Sequence, residues 1–282
     1  MADASAGRVH KETYSRDRLA RDSALLIATV REAGALARSM FSTELKNWIK
    51  GASSPVSEAD IAANDLIESR LRSATPDYGW LSEESVDDEA RLGKPLVWIV
   101  DPIDGTRSYL AGRDDWCVSV ALVQGASAQG ASPVLAAVFA PVTEEFFFAS
   151  RGGGALRNDR SIHATAGTEL DFSRVAGPKP LVERLNRGPG EISLYPRIGS
   201  LALRLCRVAE GRLDAAFAGG QSRDWDLAAA NLIVQEANGN MTALSGDTIL
   251  YNRREVTHGV LVAAGRDRHA SIVEHFRNRP LP

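Results

Sequence analysis

The sequence predicts a mixed α/β protein in which a strand-rich first half is followed by alternating strands and helices. Three observations support this fold class: amphipathic stretches near the start, short apolar runs in the middle, and alternating helix and strand patterns after the Gly-rich turn at 151–154. The chain has 282 residues, enough for one large or two ordinary domains. A composition shift at that turn predicts an N-terminal α+β half, 1–150, and a C-terminal α/β half, 151–282.

Each predicted element follows from hydrophobic periodicity and from the residues that end it. Apolar residues at helical spacing predict helices over 15–40, 60–73, 200–209 and 226–237. Apolar runs of strand length predict strands near 80–81 and over 96–100, 116–123, 134–140, 146–149, 213–217 and 260–264. Gly211 and the Asn238-Gly239 pair end the helices that precede them. The turn at 151–154 is followed by no Gly-Lys-Ser/Thr pattern, so we interpret it as a plain turn.

Composition limits the classes of function. The formal net charge of −3 argues against a dominant nucleic-acid surface. No apolar run is long enough to predict a membrane span, and the first residues lack the apolar region of a signal peptide. Cys117 and Cys206 lie in apolar surroundings without metal-ligand spacing, so we expect buried thiols and a reducing, cytoplasmic setting.

The most informative stretch is the apolar run at 96–100 followed by Asp-Pro-Ile-Asp-Gly-Thr at 101–106. Asp101 and Asp104 follow a strand of the kind that is buried on both faces, where carboxylates are costly unless a positive charge meets them. Hard divalent cations prefer such clustered oxygen ligands. Gly105 lets the backbone approach a ligand, and a helix that begins at Thr106 would offer N–H groups to an anion. This pattern is also found in ordinary turns, but its position predicts phosphate-ester chemistry.

Acidic residues accompany two further apolar segments. Glu83 and Glu84 follow the strand near 80–81, and Asp226 precedes a Leu-Ala-Ala-Ala run. Considered alone, Glu83 and Glu84 are typical of a solvated loop, and Asp226 is typical of a helix N-cap. The five histidines form no group with ligand spacing, which argues against a zinc site.

Taken in chain order, these motifs resemble those of the inositol monophosphatase family, magnesium-dependent and lithium-sensitive phosphatases of small molecules. The resemblance covers roughly residues 20–280 and rests on the segments 54–60, 82–85, 101–106, 197–200, 208–215 and 225–229. It implies a layered αβαβα sandwich of the inositol monophosphatase and sugar phosphatase type. It also implies a homodimer, because members of this superfamily are often dimers.

The resemblance implies two or more Mg²⁺ ions as cofactor. One ion is implied at Glu83, Asp101 and the carbonyl of Ile103. A second ion is implied at Asp101, Asp104 and Asp226. Carboxylates and a backbone carbonyl are suitable ligands for this hard cation.

The resemblance also implies how the substrate is held and attacked. Glu83 and Thr106 are implied to position the attacking water, with Asp60 as a proton relay bonded to the Thr106 hydroxyl. Helix capping is the alternative role of Asp60. The N–H groups of Gly105 and Thr106 are implied to bind the phosphate, beside Asp104 and Asp226.

The substrate is predicted from positions that vary between branches of the family. Inositol-specific members carry a substrate-binding Glu where this chain has Gly219. The residue pattern of segments 54–64 and 81–84 resembles that of the 3'(2'),5'-bisphosphate nucleotidase branch. This resemblance implies adenosine 3',5'-bisphosphate as the substrate. An arginine directly after the Gly-Thr pair, here Arg107, resembles the pattern of histidinol-phosphate phosphatases. Histidinol phosphate and inositol-1-phosphate therefore stay open as alternative substrates. Arg223 is a candidate for binding a second phosphate, with an exposed loop position as the alternative.

A non-catalytic binding or regulatory module is the alternative from a different class. Lys11, Arg16, Arg18 and Arg21 could form a basic arm for a partner, although such clusters are usually solvated faces. No acidic ligand implied by the resemblance is replaced, which favours an enzyme. The predicted partner is therefore a small phosphate ester, with neither nucleic acid nor membrane.

Overall fold

The structure, a computed structural model, describes residues 15–50, 54–125, 130–170, 173–185 and 192–278. Lys11 of the predicted basic arm lies outside the described residues, as does most of the small-residue loop after residue 125. The helices are α1 (Arg16–Met40), α2 (Glu58–Ala74), α3 (Thr106–Leu110), α4 (Lys179–Leu185), α5 (Leu201–Ala209), α6 (Asp224–Glu236) and α7 (Arg266–Arg277). A 3₁₀ turn covers Glu89–Gly93.

A large sheet forms the first half of the fold. Its strands, in spatial order, are β3 (Gly79–Ser82), β4 (Leu96–Asp104), β5 (Cys117–Gln124), β6 (Ser132–Ala140), β7 (Glu145–Ser150), β8 (Gly154–Arg157) and β9 (Arg160–Ser161). β3 and β4 are parallel, whereas the later neighbours are antiparallel. The sheet extends to Ser161, past residue 150, where the sequence analysis places the end of the N-terminal half.

A smaller mixed sheet forms the second half. Its strands, in spatial order, are β11 (Ser193–Leu194), β10 (Arg174–Ala176), β12 (Ala215–Ala218), β16 (Leu261–Gly265) and β14 (Gly239–Ala243). Two short antiparallel pairs complete the strands, β1 (Asn47–Lys50) with β2 (Ser54–Ser57) and β13 (Ser222–Arg223) with β15 (Thr257–His258).

The alternation of side chains along β4 shows how the layers stack. Leu96, Trp98 and Val100 face one apolar cluster, which contains residues of α1 and α2. Val97 and Ile99 face another, which contains residues of α5 and α6. The same two helices also pack on the smaller sheet, and α4 and α7 cover its far face. The layers therefore alternate αβαβα, which confirms the predicted sandwich.

Several predicted elements are confirmed with shifted ends. The second helix begins at Glu58 rather than residue 60, and the helix predicted from Asp226 begins at Asp224. Capping accounts for both shifts, because the carboxylates of Asp60 and Asp226 accept hydrogen bonds from the N–H groups of Ser57 and Arg223, which precede the helices.

Two further expectations about local structure are confirmed. Cys117 and Cys206 are buried free thiols. The Gly-rich turn is a plain turn, because the N–H groups of Gly152 and Gly154 donate to the carboxylate of Glu236 on α6 at 2.8 and 2.9 Å. No helix among the described residues is long and apolar enough to cross a membrane.

Candidate metal site

Three carboxylates converge where β4 and α6 meet. Oxygen atoms of Asp101, Asp104 and Asp226 all lie within 4.8 Å of one another. Asp101 and Asp104 are buried, and Asp226 is partly buried. They line a cavity of about 170 Å³, the acidic cavity, whose wall also contains Glu83, Ile103, Gly105 and Thr106. The structure thus brings together residues that are separated by more than a hundred positions in the sequence.

The end of β4 is shaped to present two carboxylates on the same side. The pairing of β4 with β5 is regular up to Asp101 and shifts register before Asp104, so the strand bulges between them. The N–H of Ile103 donates to Oδ1 of Asp101 at 3.1 Å, which holds the bulge. Gly105 then takes a positive φ of 96°. A Cβ there would lie 3.1 Å from the backbone nitrogen of Ser200, so the turn requires glycine.

The N-terminus of α5 holds Asp104. Oδ2 of Asp104 accepts hydrogen bonds from the hydroxyl of Ser200 at 2.6 Å and from the N–H of Ala202 at 2.5 Å. Ser200 also caps α5, since its hydroxyl oxygen accepts from the N–H of Leu203 at 2.9 Å. This helix start fixes one oxygen of Asp104, and the sequence analysis assigned no role to Ser200.

Asp226 reaches the cavity from the first turn of α6. Its Oδ2 accepts a 2.7 Å hydrogen bond from the N–H of Arg223. The helix therefore positions this carboxylate by the same capping interaction that begins the helix.

Glu83, which directly follows β3, also lines the acidic cavity. Its N–H donates to the carbonyl of Val100 at 3.1 Å, which continues the parallel pairing of β3 with β4. Lys50 of the β1–β2 hairpin donates to the carbonyl of Glu83 and forms a 3.1 Å ion pair with Glu84. The hairpin thereby holds the acidic segment against the cavity. Glu83 is outside the set of carboxylates within 4.8 Å of one another.

The Thr106 hydroxyl connects the acidic turn with α2. It donates to Oδ1 of Asp60 at 3.0 Å and lies 3.1 Å from the carbonyl of Ile103. The other carboxylate oxygen of Asp60 accepts from the N–H and the hydroxyl of Ser57 at 2.8 and 2.6 Å. Asp60 therefore makes both contacts considered for it in the sequence analysis, the capping contact and the bond to Thr106.

Burial and mutual repulsion make this site costly without a cation. Burial raises the pKa of Glu83 to about 8, and the charge of Asp226 acts in the same direction. Burial raises the pKa of Asp226 to about 7, with a further contribution from Asp104. Burial, followed by the charge of Glu83, raises the pKa of Asp101 well above its ordinary value. The protein thus concentrates negative charge where water screens it less well than at an exposed surface.

The donor set fits a hard divalent cation. It consists of carboxylate oxygens and the Ile103 carbonyl, with neither thiolate nor imidazole among the described lining residues. Mg²⁺ prefers such oxygen ligands and keeps several waters, which the open side of the cavity allows. The residues present therefore fit the cation that the resemblance implies.

Three arginines are also among the residues that line the acidic cavity. Arg107, Arg113 and Arg197 line it, whereas Arg223 is not among the described lining residues. The guanidinium of Arg223 lies 5.7 Å from the ring centroid of Trp225 instead. In the sequence, residues 197–200 stood out only as one of the segments that carry the family resemblance.

The fold and the site together define a layered α/β protein with a carboxylate-lined cavity whose donor atoms fit a divalent cation. The chain belongs to the inositol monophosphatase family, which matches residues 19–281. This is a metal-dependent family of phosphatases that act on small phosphate esters. The family predicted from the motifs is therefore confirmed, whereas the nucleotidase branch stays a prediction.

Individual relatives cover nearly the whole chain. An inositol-1-monophosphatase of Rhizobium meliloti (strain 1021) is 34% identical over 272 residues, 92% of this chain and 96% of that protein. A Nus factor SuhB of Vibrio cholerae is 30% identical over 264 residues, 90% of this chain and 94% of that protein. The crystal structure of the extragenic suppressor protein SuhB from Bartonella henselae superimposes with a TM-score of 0.79 at 27% identity, covering 93% of this chain and 100% of that chain.

Proposed function

We propose that this chain is a Mg²⁺-dependent phosphomonoesterase whose reaction takes place in the acidic cavity. The observation that carries the proposal is the convergence of Asp101, Asp104 and Asp226 within 4.8 Å, beside the hydrogen-bonded Thr106 and Asp60. Phosphoryl transfer requires neutralised charge on the phosphate oxygens and a positioned nucleophile. This site contains groups for both requirements.

The proposed ligands of the ions are oxygen atoms of the acidic turn and its neighbours. Glu83, Asp101 and the Ile103 carbonyl hold one ion, and Asp101, Asp104 and Asp226 hold a second. Bound Mg²⁺ supplies a water of lowered pKa and neutralises charge on the phosphate.

The remaining residues orient the nucleophile and the phosphate. Glu83 and the Thr106 hydroxyl accept hydrogen bonds from the attacking water. Asp60, which already accepts the Thr106 proton at 3.0 Å, fixes the direction of that hydroxyl and takes up the proton. The N–H groups of Gly105 and Thr106, at the start of α3, bind a phosphate oxygen.

Inositol-1-phosphate is the first candidate substrate. It is favoured by the 34% identical relative that is named inositol-1-monophosphatase. Adenosine 3',5'-bisphosphate is the second candidate, favoured by the resemblance of segments 54–64 and 81–84 to the nucleotidase branch. Gly219, where inositol-specific members carry Glu, counts against an inositol ester. Histidinol phosphate remains the third, because of Arg107 beside the cavity.

The test is phosphate release with Mg²⁺, comparing kcat/KM for inositol-1-phosphate, adenosine 3',5'-bisphosphate, histidinol phosphate and fructose-1,6-bisphosphate. Turnover of at least one ester, abolished by EDTA and by Asp226→Asn, supports the proposal. Turnover that survives both changes refutes the proposed site. If none of the four esters is hydrolysed by the folded protein, the binding or regulatory module becomes the better account.

Four further expectations accompany this proposal. Millimolar lithium is expected to inhibit turnover, and activity that is insensitive to it would count against the family's mechanism here. The homodimer and the cytoplasmic location stay predictions. The absence of a nucleic-acid partner also stays a prediction. Relatives named Nus factor SuhB are a reason to test nucleic-acid binding directly.

A further inference from the structure

The face of α2 that carries Asp60 continues along the helix as a stripe of polar residues. Asp60, Asn64 and Glu68 are four residues apart, so their side chains lie on the same face. Asp60 accepts the hydrogen bond from the Thr106 hydroxyl at 3.0 Å. Asn64, one turn further along, is only 4% exposed. A buried amide is costly unless its oxygen and its nitrogen both have partners, so its contacts show what this helix face holds in place.

Both partners of the Asn64 amide belong to the turn that carries Glu83. Oδ1 of Asn64 accepts a 2.7 Å hydrogen bond from the hydroxyl of Ser82, and its Nδ2 donates to the hydroxyl of Ser85 at 3.3 Å. These two serines are the first and last residues of the acidic segment, residues 82–85. One side chain on α2 therefore bridges the two ends of this segment.

Three elements meet at the Ser85 hydroxyl. Its oxygen accepts from the Asn64 amide and from the indole N–H of Trp80 on β3 at 3.1 Å. Its proton is donated to the carboxylate of Glu68 at 3.4 Å. An indole N–H can only donate, and a carboxylate can only accept. The bridge between Ser82 and Ser85 thus requires a side chain that accepts at one end and donates at the other, as an amide does.

The carboxylate of Glu83 differs from the other carboxylates of the acidic cavity in how it is held. Asp101 and Asp226 each accept a hydrogen bond from a backbone N–H, and Asp104 accepts two at the start of α5. Within the described part of the chain, the Glu83 carboxylate accepts none. Its position therefore depends on where the backbone of the acidic segment lies, and the Asn64 bridge holds that backbone at both ends.

We propose that Asn64 is a positioning residue, which bridges the ends of the acidic segment and thereby holds the Glu83 carboxylate at the acidic cavity. The same face of α2 orients the Thr106 hydroxyl through Asp60. One helix face therefore aligns the two groups that are assigned to the attacking water. The proposal rests on the proposed function, because it deepens the role of Glu83 in that site.

Asn64→Ala removes the bridge and is the first test. It should lower kcat by about 10- to 100-fold, the range for residues that orient a metal ligand, and raise the Mg²⁺ concentration for half-maximal turnover. Thr75→Val is the matched control, because it removes a buried hydroxyl at the far end of α2, where Thr75 accepts from the indole N–H of Trp98 at 3.0 Å. This control should lower stability and leave both kinetic quantities unchanged. If Asn64→Ala does not fold, Ser85→Ala, which removes one end of the bridge, is measured with the same expectation.

Glu83→Gln decides whether Asn64 acts through Glu83. In the Glu83→Gln background, Asn64→Ala should lower kcat by no more than about twofold, because the carboxylate that it positions is already absent. A second loss as large as that in the wild-type protein would mean that Asn64 supports the fold and does not position Glu83. Wild-type kcat and Mg²⁺ dependence in Asn64→Ala would also overturn the proposal.

Calorimetric titration with Mg²⁺ separates failure of this proposal from failure of the proposed function. Asn64→Ala should weaken Mg²⁺ binding by about 10- to 100-fold, and it should weaken it no further in the Glu83→Gln background. Unchanged Mg²⁺ affinity in folded Asn64→Ala would reject the positioning role. If the wild-type protein hydrolyses none of the esters, the proposed function fails, and the Mg²⁺ titrations still decide the role of Asn64. A wild-type protein that binds no Mg²⁺ would overturn both.

Discussion

The Ser200 hydroxyl donates a 2.6 Å hydrogen bond to Oδ2 of Asp104. This bond joins the first turn of α5 to the acidic end of β4, although the two residues are 96 positions apart. Ser200 thus has two functions in the fold, because it also caps α5. One side chain therefore fixes both the carboxylate of Asp104, a proposed metal ligand, and the start of α5.

Ser200→Ala is therefore expected to affect both stability and the cation site. Loss of the cap should cost about 1 kcal/mol of unfolding free energy. Loss of the bond to Asp104 should weaken Mg²⁺ binding by about 10- to 100-fold, as for other groups that orient metal ligands. Denaturant unfolding and the Mg²⁺ dependence of turnover measure the two effects. Ser15→Ala, which removes the cap of α1, is the control and should lower stability alone. Equal Mg²⁺ dependence in both variants would show that Ser200 has no role in positioning.

Asp104→Asn and Asp226→Asn are expected to lower kcat by several orders of magnitude while the chain stays folded. Each substitution removes a charged ligand from the set within 4.8 Å. In the absence of metal, each should also raise the melting temperature, since it relieves repulsion between buried carboxylates. Phosphate release and thermal unfolding in EDTA measure these effects. Near-wild-type turnover in either variant would reject the proposed metal ligands.

Thr106→Val is expected to reduce kcat strongly, because it removes the hydroxyl between Asp60 and Ile103. Thr106→Ser keeps a hydroxyl at the same position and should retain most of the activity. Steady-state kinetics with saturating Mg²⁺ compare the two. If serine and valine reduce kcat equally, the hydroxyl does not orient the nucleophile and Thr106 acts only through its backbone.

The stabilisation that Mg²⁺ confers should increase with pH. Folding raises the pKa of Glu83 to about 8 and that of Asp226 to about 7. Groups with a raised pKa stabilise the folded state fully at pH values below their unfolded pKa, and this contribution is lost as the pH rises through about 7 and 8. The metal-free protein should therefore lose stability from pH 6 to pH 8.5, and Mg²⁺ should restore it. Melting temperatures in EDTA and in Mg²⁺ at both pH values test this, and an Mg²⁺-induced shift that is equal at the two values would contradict it.

The sequence allowed prediction of those parts of the site that are contiguous in the chain. Asp101 and Asp104 are carried by one strand end, so their spacing alone indicated a shared function. Asp226 could be predicted as a site residue only from the family resemblance, because its local sequence is equally typical of a residue that caps a helix. The bond from Ser200 to Asp104 and the position of Arg197 beside the cavity depend on how the start of α5 meets the end of β4, and no local pattern records that packing.

The missed elements of the fold have a similar explanation. The β1–β2 hairpin was not predicted because β1 is exposed along its length, so its residues do not alternate between apolar and polar. Trp48 and Ile49 in this strand are 45% and 62% exposed. α7 was also not predicted. Its buried face includes the polar residues Arg268 and His269 as well as Ile272 and Phe276, so the sequence shows no continuous apolar stripe at helical spacing.

A buried ionic network between the two halves of the fold leads to the last prediction. The guanidinium of Arg207 on α5 donates to Glu145 on β7 at 2.9 Å and to Glu210 at 2.6 Å. These side chains are 10%, 5% and 3% exposed, respectively. Arg157 also contacts both carboxylates, so each carboxylate has more than one cation.

Arg207→Met should destabilise the protein by about 3 kcal/mol, the lower end of the range for breaking a buried ion pair, because Arg157 remains beside the two carboxylates. The cost arises mainly from leaving Glu145 and Glu210 buried with less compensation. Arg70→Met removes an exposed pair with Glu32, whose partners are 58% and 45% exposed, and should cost no more than about 1 kcal/mol. Denaturant unfolding of both variants gives the comparison. A cost for Arg207→Met no greater than that for Arg70→Met would mean that packing of α5 on the large sheet is independent of this network.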